Sequence, residues 1–108
     1  MTEVVLTPEV IDEMAALPTP IAARMGRLVE RLRYWPDVSG AKPLKGDLAG
    51  KYRLRTGDYR LQFRVERTRK TSKVKKTVRG KTVTEEMEII ETKVVVEKAG
   101  HRDGFYEE

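Results

Sequence analysis

The sequence has no cysteine, which excludes a disulfide framework, a thiolate metal site and a cysteine nucleophile. It has one histidine, His101, which excludes any centre that needs two imidazoles. No apolar run approaches the ~20 residues that span a bilayer. The N-terminus lacks a basic segment followed by an apolar one, so no signal peptide is expected. These absences lead to the expectation of a cytoplasmic protein with no membrane partner, no bound metal and no small-molecule cofactor. What remains is 108 residues, 39% hydrophobic and 36% charged. That is polar but outside the disordered regime, and sufficient for a single domain with one ordinary core.

The net charge is +5, and its distribution is more telling than its sum. Residues 1–41 carry four basic and six acidic side chains. Residues 42–64 carry seven basic ones (Lys42, Lys45, Lys51, Arg53, Arg55, Arg60, Arg64) against Asp47 and Asp58. Residues 66–81 carry eight against Glu66 alone, and residues 82–92 carry four glutamates and nothing basic. A positive field concentrated in the middle of the chain suits a polyanionic partner, either nucleic acid or an acidic protein.

Val4 to Leu6 reads as a short strand. Thr7-Pro8-Glu9 has the form of an N-cap, a first-turn proline and a first-turn acid. The helix it opens is expected to end near Leu17. Thr19-Pro20 repeats the signal, and Ile21, Met25, Leu28 and Leu32 then line one face of a second helix that Pro36 stops. Asp37 to Pro43 reads as a loop. From Lys51 the period becomes two. Tyr52 and Leu54 point one way and Lys51, Arg53 and Arg55 the other. With Thr56-Gly57 as a two-residue turn, Leu54 pairs with Tyr59, Arg53 with Arg60 and Lys51 with Gln62. Apolar then faces apolar and basic faces basic, and a one-residue slip would mix the faces. Trp35, Tyr52, Tyr59 and Phe105 are expected in or over the core.

The basic face of this hairpin has a physical oddity. Like charges opposite one another on neighbouring strands destabilise a sheet. A purely structural face would place a glutamate among Lys51, Arg53, Arg55, Arg60 and Arg64, and the hairpin supplies none. A function that offsets such a cost is expected, such as holding a phosphate backbone.

Strand pattern returns at Val94 to Val96. Arg79-Gly80 is the best turn signal in between, with 20 residues on either side (59–78 and 81–100). That symmetry predicts one long hairpin insertion over about 66–92, with Val65 near Val94, Phe63 near Val96, Glu66 beside Lys93 and Lys73 beside Glu86. The alternative is an irregular Lys- and Thr-rich loop. The apolar phase changes between Ile89 and Ile90, which predicts a bulge there. The expected fold is therefore α+β, a single domain over 1–108. A small antiparallel sheet packs on two N-terminal helices in the order β-α-α-β-β-β, with the hairpin at 66–92 as an insertion.

The run LKGDLAGKYRLRTGDYRLQFRV, followed after the insertion by VVVEKAGHRDGFY, resembles the RelE/ParE superfamily of type II toxins over residues 3–65 and 93–106. The RelE-like branch implies a toxin that cuts messenger RNA in the ribosomal A site without metal, by attack of the 2′-hydroxyl on the adjacent phosphorus. Its implied partners are messenger RNA, the ribosome and a RelB-like antitoxin. The ParE-like branch implies instead an inhibitor of DNA gyrase, and a non-catalytic antitoxin-binding module is a third possibility. Carried over by position, the resemblance places catalytic roles on Lys51, Arg53, Arg60, Arg102 and Tyr106. Lys51 is the implied base, and Arg60 and Arg102 clamp the phosphate. Arg53 stands where a second lysine is usual and can act only as a clamp. The spacing from Arg102 to Tyr106 is two residues shorter than in the founding member. His101 is a further candidate acid or base. Arg55, Arg64, Lys42 and Lys45 are the expected RNA-binding surround.

Overall fold

The structure, a computed structural model, describes residues 2–105. The first strand, β1 (Glu3–Leu6), leads into α1 (Pro8–Ala15), α2 (Thr19–Arg31) and a single 3-10 turn over Leu32–Tyr34. The sheet continues with β2 (Lys42–Pro43), β3 (Lys51–Thr56), β4 (Tyr59–Val78) and β5 (Lys81–His101). The sheet order is β1-β5-β4-β3-β2. No helix is long and apolar enough to cross a membrane, among the described residues.

The helix signals act as read, with one exception. Thr7 accepts a hydrogen bond from the Val10 N–H at 3.2 Å and caps α1, with Pro8 in the first turn. At α2 the flanking residue is Pro18, not Thr19, and no side chain caps the helix. The fixed φ of Pro18, −53°, turns the chain one residue earlier than the Thr-Pro pair indicates.

Two expectations about the sheet are corrected. The sheet is mixed: β1 runs parallel to β5, pairing Val4 with Val94 and Leu6 with Val96, because two helices separate it from the rest and return the chain in that sense. The end of the expected loop, Lys42–Pro43, is a short edge strand against Arg53 and Tyr52.

The β3–β4 hairpin turns at Gly57-Asp58, not Thr56-Gly57. Gly57, at φ 58°, occupies the first central position, a conformation that suits glycine. Thr56 stays in the ladder opposite Tyr59, and Leu54 meets Leu61, Arg53 meets Gln62 and Lys51 meets Arg64. The shift is two residues, so every side chain keeps its face while every partner changes.

One face of the sheet forms the core with the helices. Leu54, Leu61, Phe63, Val94, Val96 and Ala99 meet Val10, Met25, Leu28 and Leu32, all buried. Trp35 closes one end, its ring edge-on to Tyr52 at 4.8 Å and Phe63 at 5.4 Å, with Tyr52 and Phe63 stacked. Tyr59 and Val65 pack at the margin.

Beyond the body, β4 and β5 continue alone as an arm that turns at Arg79-Gly80 with φ 53° and 76°. Val65–Val94, Glu66–Lys93 and Lys73–Glu86 pair as predicted. At ~3.3 Å per residue, Glu66 to Val78 carries the tip about 40 Å outward. The radius of gyration is 18.8 Å, against about 13 Å for a compact chain of this length. The ladder is unbroken where a bulge was expected, with Lys70 opposite Ile89 and Arg69 opposite Ile90. Both arm faces meet solvent, so nothing there forces apolar residues to one side. The register shift falls instead at Gln62/Phe63, where Gln62 pairs with Lys98 and Phe63 with Val96, leaving Glu97 as the extra residue of β5.

Because no residue of 70–89 belongs to the core cluster and none is buried, the arm can be shortened there without disturbing the core. Replacing 70–89 by Asn-Gly, which joins the paired Arg69 and Ile90, should leave the thermal midpoint within about 3 °C of wild type. A loss of cooperative unfolding would contradict this.

Candidate nucleic-acid interface

The face of the sheet turned away from the helices is assembled in cross-strand rows. Lys51 and Arg64 form the first, next to Val95. Lys42, Arg53, Gln62 and Lys98 form the second. Arg55 and Arg60 form the third, next to Gly100. Lys45 is exposed two residues beyond β2. The alternation read from the sequence thus brings Lys42, Lys51, Arg53, Arg55, Arg60 and Arg64 to one surface, and β5 adds Lys98. Arg53, Arg55 and Lys42 have no ion pair among the described residues. First and third rows lie four residues apart along the strand, about 13 Å.

The glutamate that the hairpin lacks comes from β5. Inserted by the bulge, Glu97 reaches into this face with its side chain 17% exposed. Its carboxylate accepts from Lys51 Nζ at 3.0 Å, Arg64 Nη1 at 2.8 Å and Gln62 Nε2 at 3.4 Å. Arg64 also pairs with Glu66 at 3.0 Å. The inference that no acid relieves the basic face is therefore corrected for its first row, Lys51 and Arg64. Burial works to raise the Glu97 pKa, but the hydrogen bonds from Lys51, Gln62 and Arg64, with the Lys51 charge, outweigh it and hold it below the ordinary carboxylate range. Hydrogen bonds from Arg64 to Glu66 and then to Glu97 raise the Arg64 pKa further, so it stays charged throughout.

The other end of the face gathers at the Gly57-Asp58 turn. Arg60 Nη1 donates to the carbonyls of Gly57 at 3.2 Å and Tyr59 at 3.3 Å. The Arg102 N–H donates to the Asp58 carbonyl at 2.7 Å, and its guanidinium lies 3.7 Å from the Asp58 carboxylate. Arg60 and Arg102 therefore meet at one turn, while Lys51 stands two rows away with Arg53 in between.

His101 pairs with Tyr59 on the core-facing side, ring edge to ring face at 5.2 Å, and its Nδ1 accepts from the Asp103 N–H at 3.1 Å. That places it on the opposite face from Arg60. Tyr106 lies outside the described residues. Phe105 is buried as expected but stands apart from the main core cluster. It covers Gly100 and lies 4.8 Å from Lys98 Nζ, so it walls the basic face at the third row. Sequence reasoning missed Glu97, Gln62 and Lys98. The signal is in the structure alone: β5 ends at His101 and is one residue longer than β4, 21 against 20.

No protein-family model and no curated protein matches the chain. Among solved structures it is similar to a chain of the toxin–antitoxin complex RelBE2 from Mycobacterium tuberculosis, with a TM-score of 0.64 and 24% identity over 94% of this chain and 98% of that one. The chain has a RelE-like α+β fold.

Glu97→Ala leaves Lys51 and Arg64 facing each other and removes three hydrogen bonds. It should cost ~2 kcal/mol at pH 7, measured by urea unfolding. The folded pKa of Glu97 is depressed, so its contribution is complete above the unfolded value of about 4.3 and fades as pH falls through the lower folded value. The gap between variant and wild type should narrow below about pH 4; a constant gap contradicts the ion-pair account.

Proposed function

We propose that the chain is the toxin of a toxin–antitoxin pair and acts as a metal-independent endoribonuclease that cleaves messenger RNA in the A site of the ribosome. The observation that carries this reading is the three-row cationic face, which ends where Arg60 and Arg102 meet at one turn. The 2′-oxygen attacks the neighbouring phosphorus and the bond to the 5′-oxygen breaks, leaving a 2′,3′-cyclic phosphate and a 5′-hydroxyl. A proton leaves the 2′-hydroxyl and one is delivered to the 5′-oxygen. Negative charge builds on the phosphorane, where Arg60 and Arg102, fixed by the turn, serve as bidentate clamps with Arg53 beside them.

Lys51, ion-paired with Glu97, is assigned here as a charge beside the phosphate and not as the base that the resemblance implies. Tyr106, near Arg102 in the chain, is the candidate for proton transfer, since His101 stands on the opposite face from Arg60. Arg55, Arg64, Lys42 and Lys45 hold the flanking backbone. A RelB-like antitoxin, as an acidic partner, competes for the same face. The arm, basic along β4, extends the contact with ribosomal RNA.

Primer extension on a translated message tests the reading. A ribosome-dependent cut within an A-site codon is expected from the wild type, with a loss of 10²-fold or more in Arg60→Ala. No cut under either condition transfers the weight to gyrase inhibition or to a binding module, which a supercoiling assay separates. The arm-shortened variant is expected to bind ribosomes more weakly, with a shallower salt dependence; unchanged affinity across salt removes the arm from the interface.

A further inference from the structure

Two of the cations on this face are already engaged by an internal anion. Lys51, Gln62 and Arg64 present three donors to two oxygens, and the oxygens belong to Glu97. The site is open on its outer side: the side chains of Lys51 and Arg64 are 32% and 39% exposed. A phosphodiester offers the same pattern as a carboxylate, two charged oxygens on one centre, and cations of this geometry take either. The carboxylate stands on the one residue of β5 that has no partner in the ladder. A bulged residue is free of ladder pairing, so its side chain can be exchanged out without breaking a strand pair. The depressed pKa makes Glu97 a weak base near neutrality, which argues against proton transfer and for an electrostatic role.

We infer that Lys51, Gln62 and Arg64 form a phosphate cradle for a backbone group next to the cleaved one, and that Glu97 is its resident competitor. RNA binding exchanges the Glu97 carboxylate for a phosphate. The inference deepens the ribonuclease reading and rests on it for the identity of the ligand. The exchange lowers intrinsic affinity for RNA, since each binding event must first break two ion pairs. It also keeps two like charges compensated when no RNA is present. Removing the carboxylate's charge should therefore tighten binding by about tenfold, whereas a purely structural ion pair would give only the small gain that any lost negative charge on this face gives.

The test uses the full-length protein and a fluorescent 2′-O-methyl RNA oligonucleotide, which lacks the attacking hydroxyl and is not cut. Affinity is read by anisotropy over a range of salt for wild type and Glu97→Gln, with poly-L-glutamate as a parallel probe. About tenfold tighter RNA binding by the variant is expected, with a salt slope steeper by up to ~1.4, the release expected from two more single-strand contacts. In the wild type, the Gln62 side-chain amide resonances should shift on RNA addition, a readout that holds even if the variant folds poorly. RNA binding with only that small gain, or none, in Glu97→Gln and no Gln62 shift overturns the cradle and leaves the ribonuclease reading standing. A gain for poly-L-glutamate alone overturns the RNA assignment and gives the cradle to an acidic polypeptide. Failure of both proteins to bind either probe overturns both.

Discussion

Cations on neighbouring strands repel, and the placement of one carboxylate against that repulsion organises much of this molecule. Glu97 compensates the first row of the outer face, and it does so because β5 carries one more residue than β4. The same insertion sets the facing of the residues after it. Past the bulge, Ala99 points into the core and its N–H is taken by the Glu13 carboxylate of α1 at 3.2 Å, so the strand edge past β1 is held by a helix side chain. Gly100 then falls on the outer face, beneath the Phe105 ring. Charge balance, strand-edge satisfaction and the seating of the C-terminal segment thus share one cause.

The outer face divides into two chemical environments. Near Lys51 and Arg64 the cations are compensated; near Arg53 and Arg55 they are not, and Arg60 is tied to backbone carbonyls through one nitrogen, Nη1. A ligand arriving at this face meets uncompensated charge in its middle and fixed guanidinium groups at the turn. Steering and positioning are therefore served by different residues of one surface. The arm repeats the theme more loosely. Its ion pairs Arg69–Glu88, Lys70–Glu91 and Lys76–Glu85 run diagonally across the ladder and are largely exposed, so each adds little. Val74, Val78, Val83, Met87 and Ile89 fall on the face continuous with the cationic one, leaving half-exposed apolar side chains there.

The legible part of the sequence came from parity and from punctuation. Alternation assigned Tyr52, Leu54, Leu61 and Phe63 to the core, and Arg53 and Arg60 to the outer face, because burial on one side punishes any one-residue error. Arg79-Gly80 and the opposed charges identified the arm. The hairpin register was misread by two residues because a shift of two leaves the faces unchanged, so the pattern cannot detect it. Glu97 was illegible for a related reason. It stands after three valines in a strand-like run, and only knowledge that the next residues pair with Gln62 and Arg60 reveals that it is supernumerary. The parallel pairing of β1 depends on how two helices return the chain, which no local pattern records. Fold class and the cationic set were thus readable, and the acid that tempers them was not.

The arm is a ladder without a core, and this makes its length an independent variable. Four residues gained or lost together, two on each strand, move the Arg79-Gly80 tip by two rungs and leave every other side chain on its original face. A change of one residue on each strand keeps the pairing but reverses the facing of all residues between the lesion and the tip, and only the tip side suffers. Paired insertions and deletions in 66–92 are therefore sorted by their parity on each strand, with even ones tuning reach and odd ones exchanging the arm's two faces, while the body below Val65 and Val94 is blind to both.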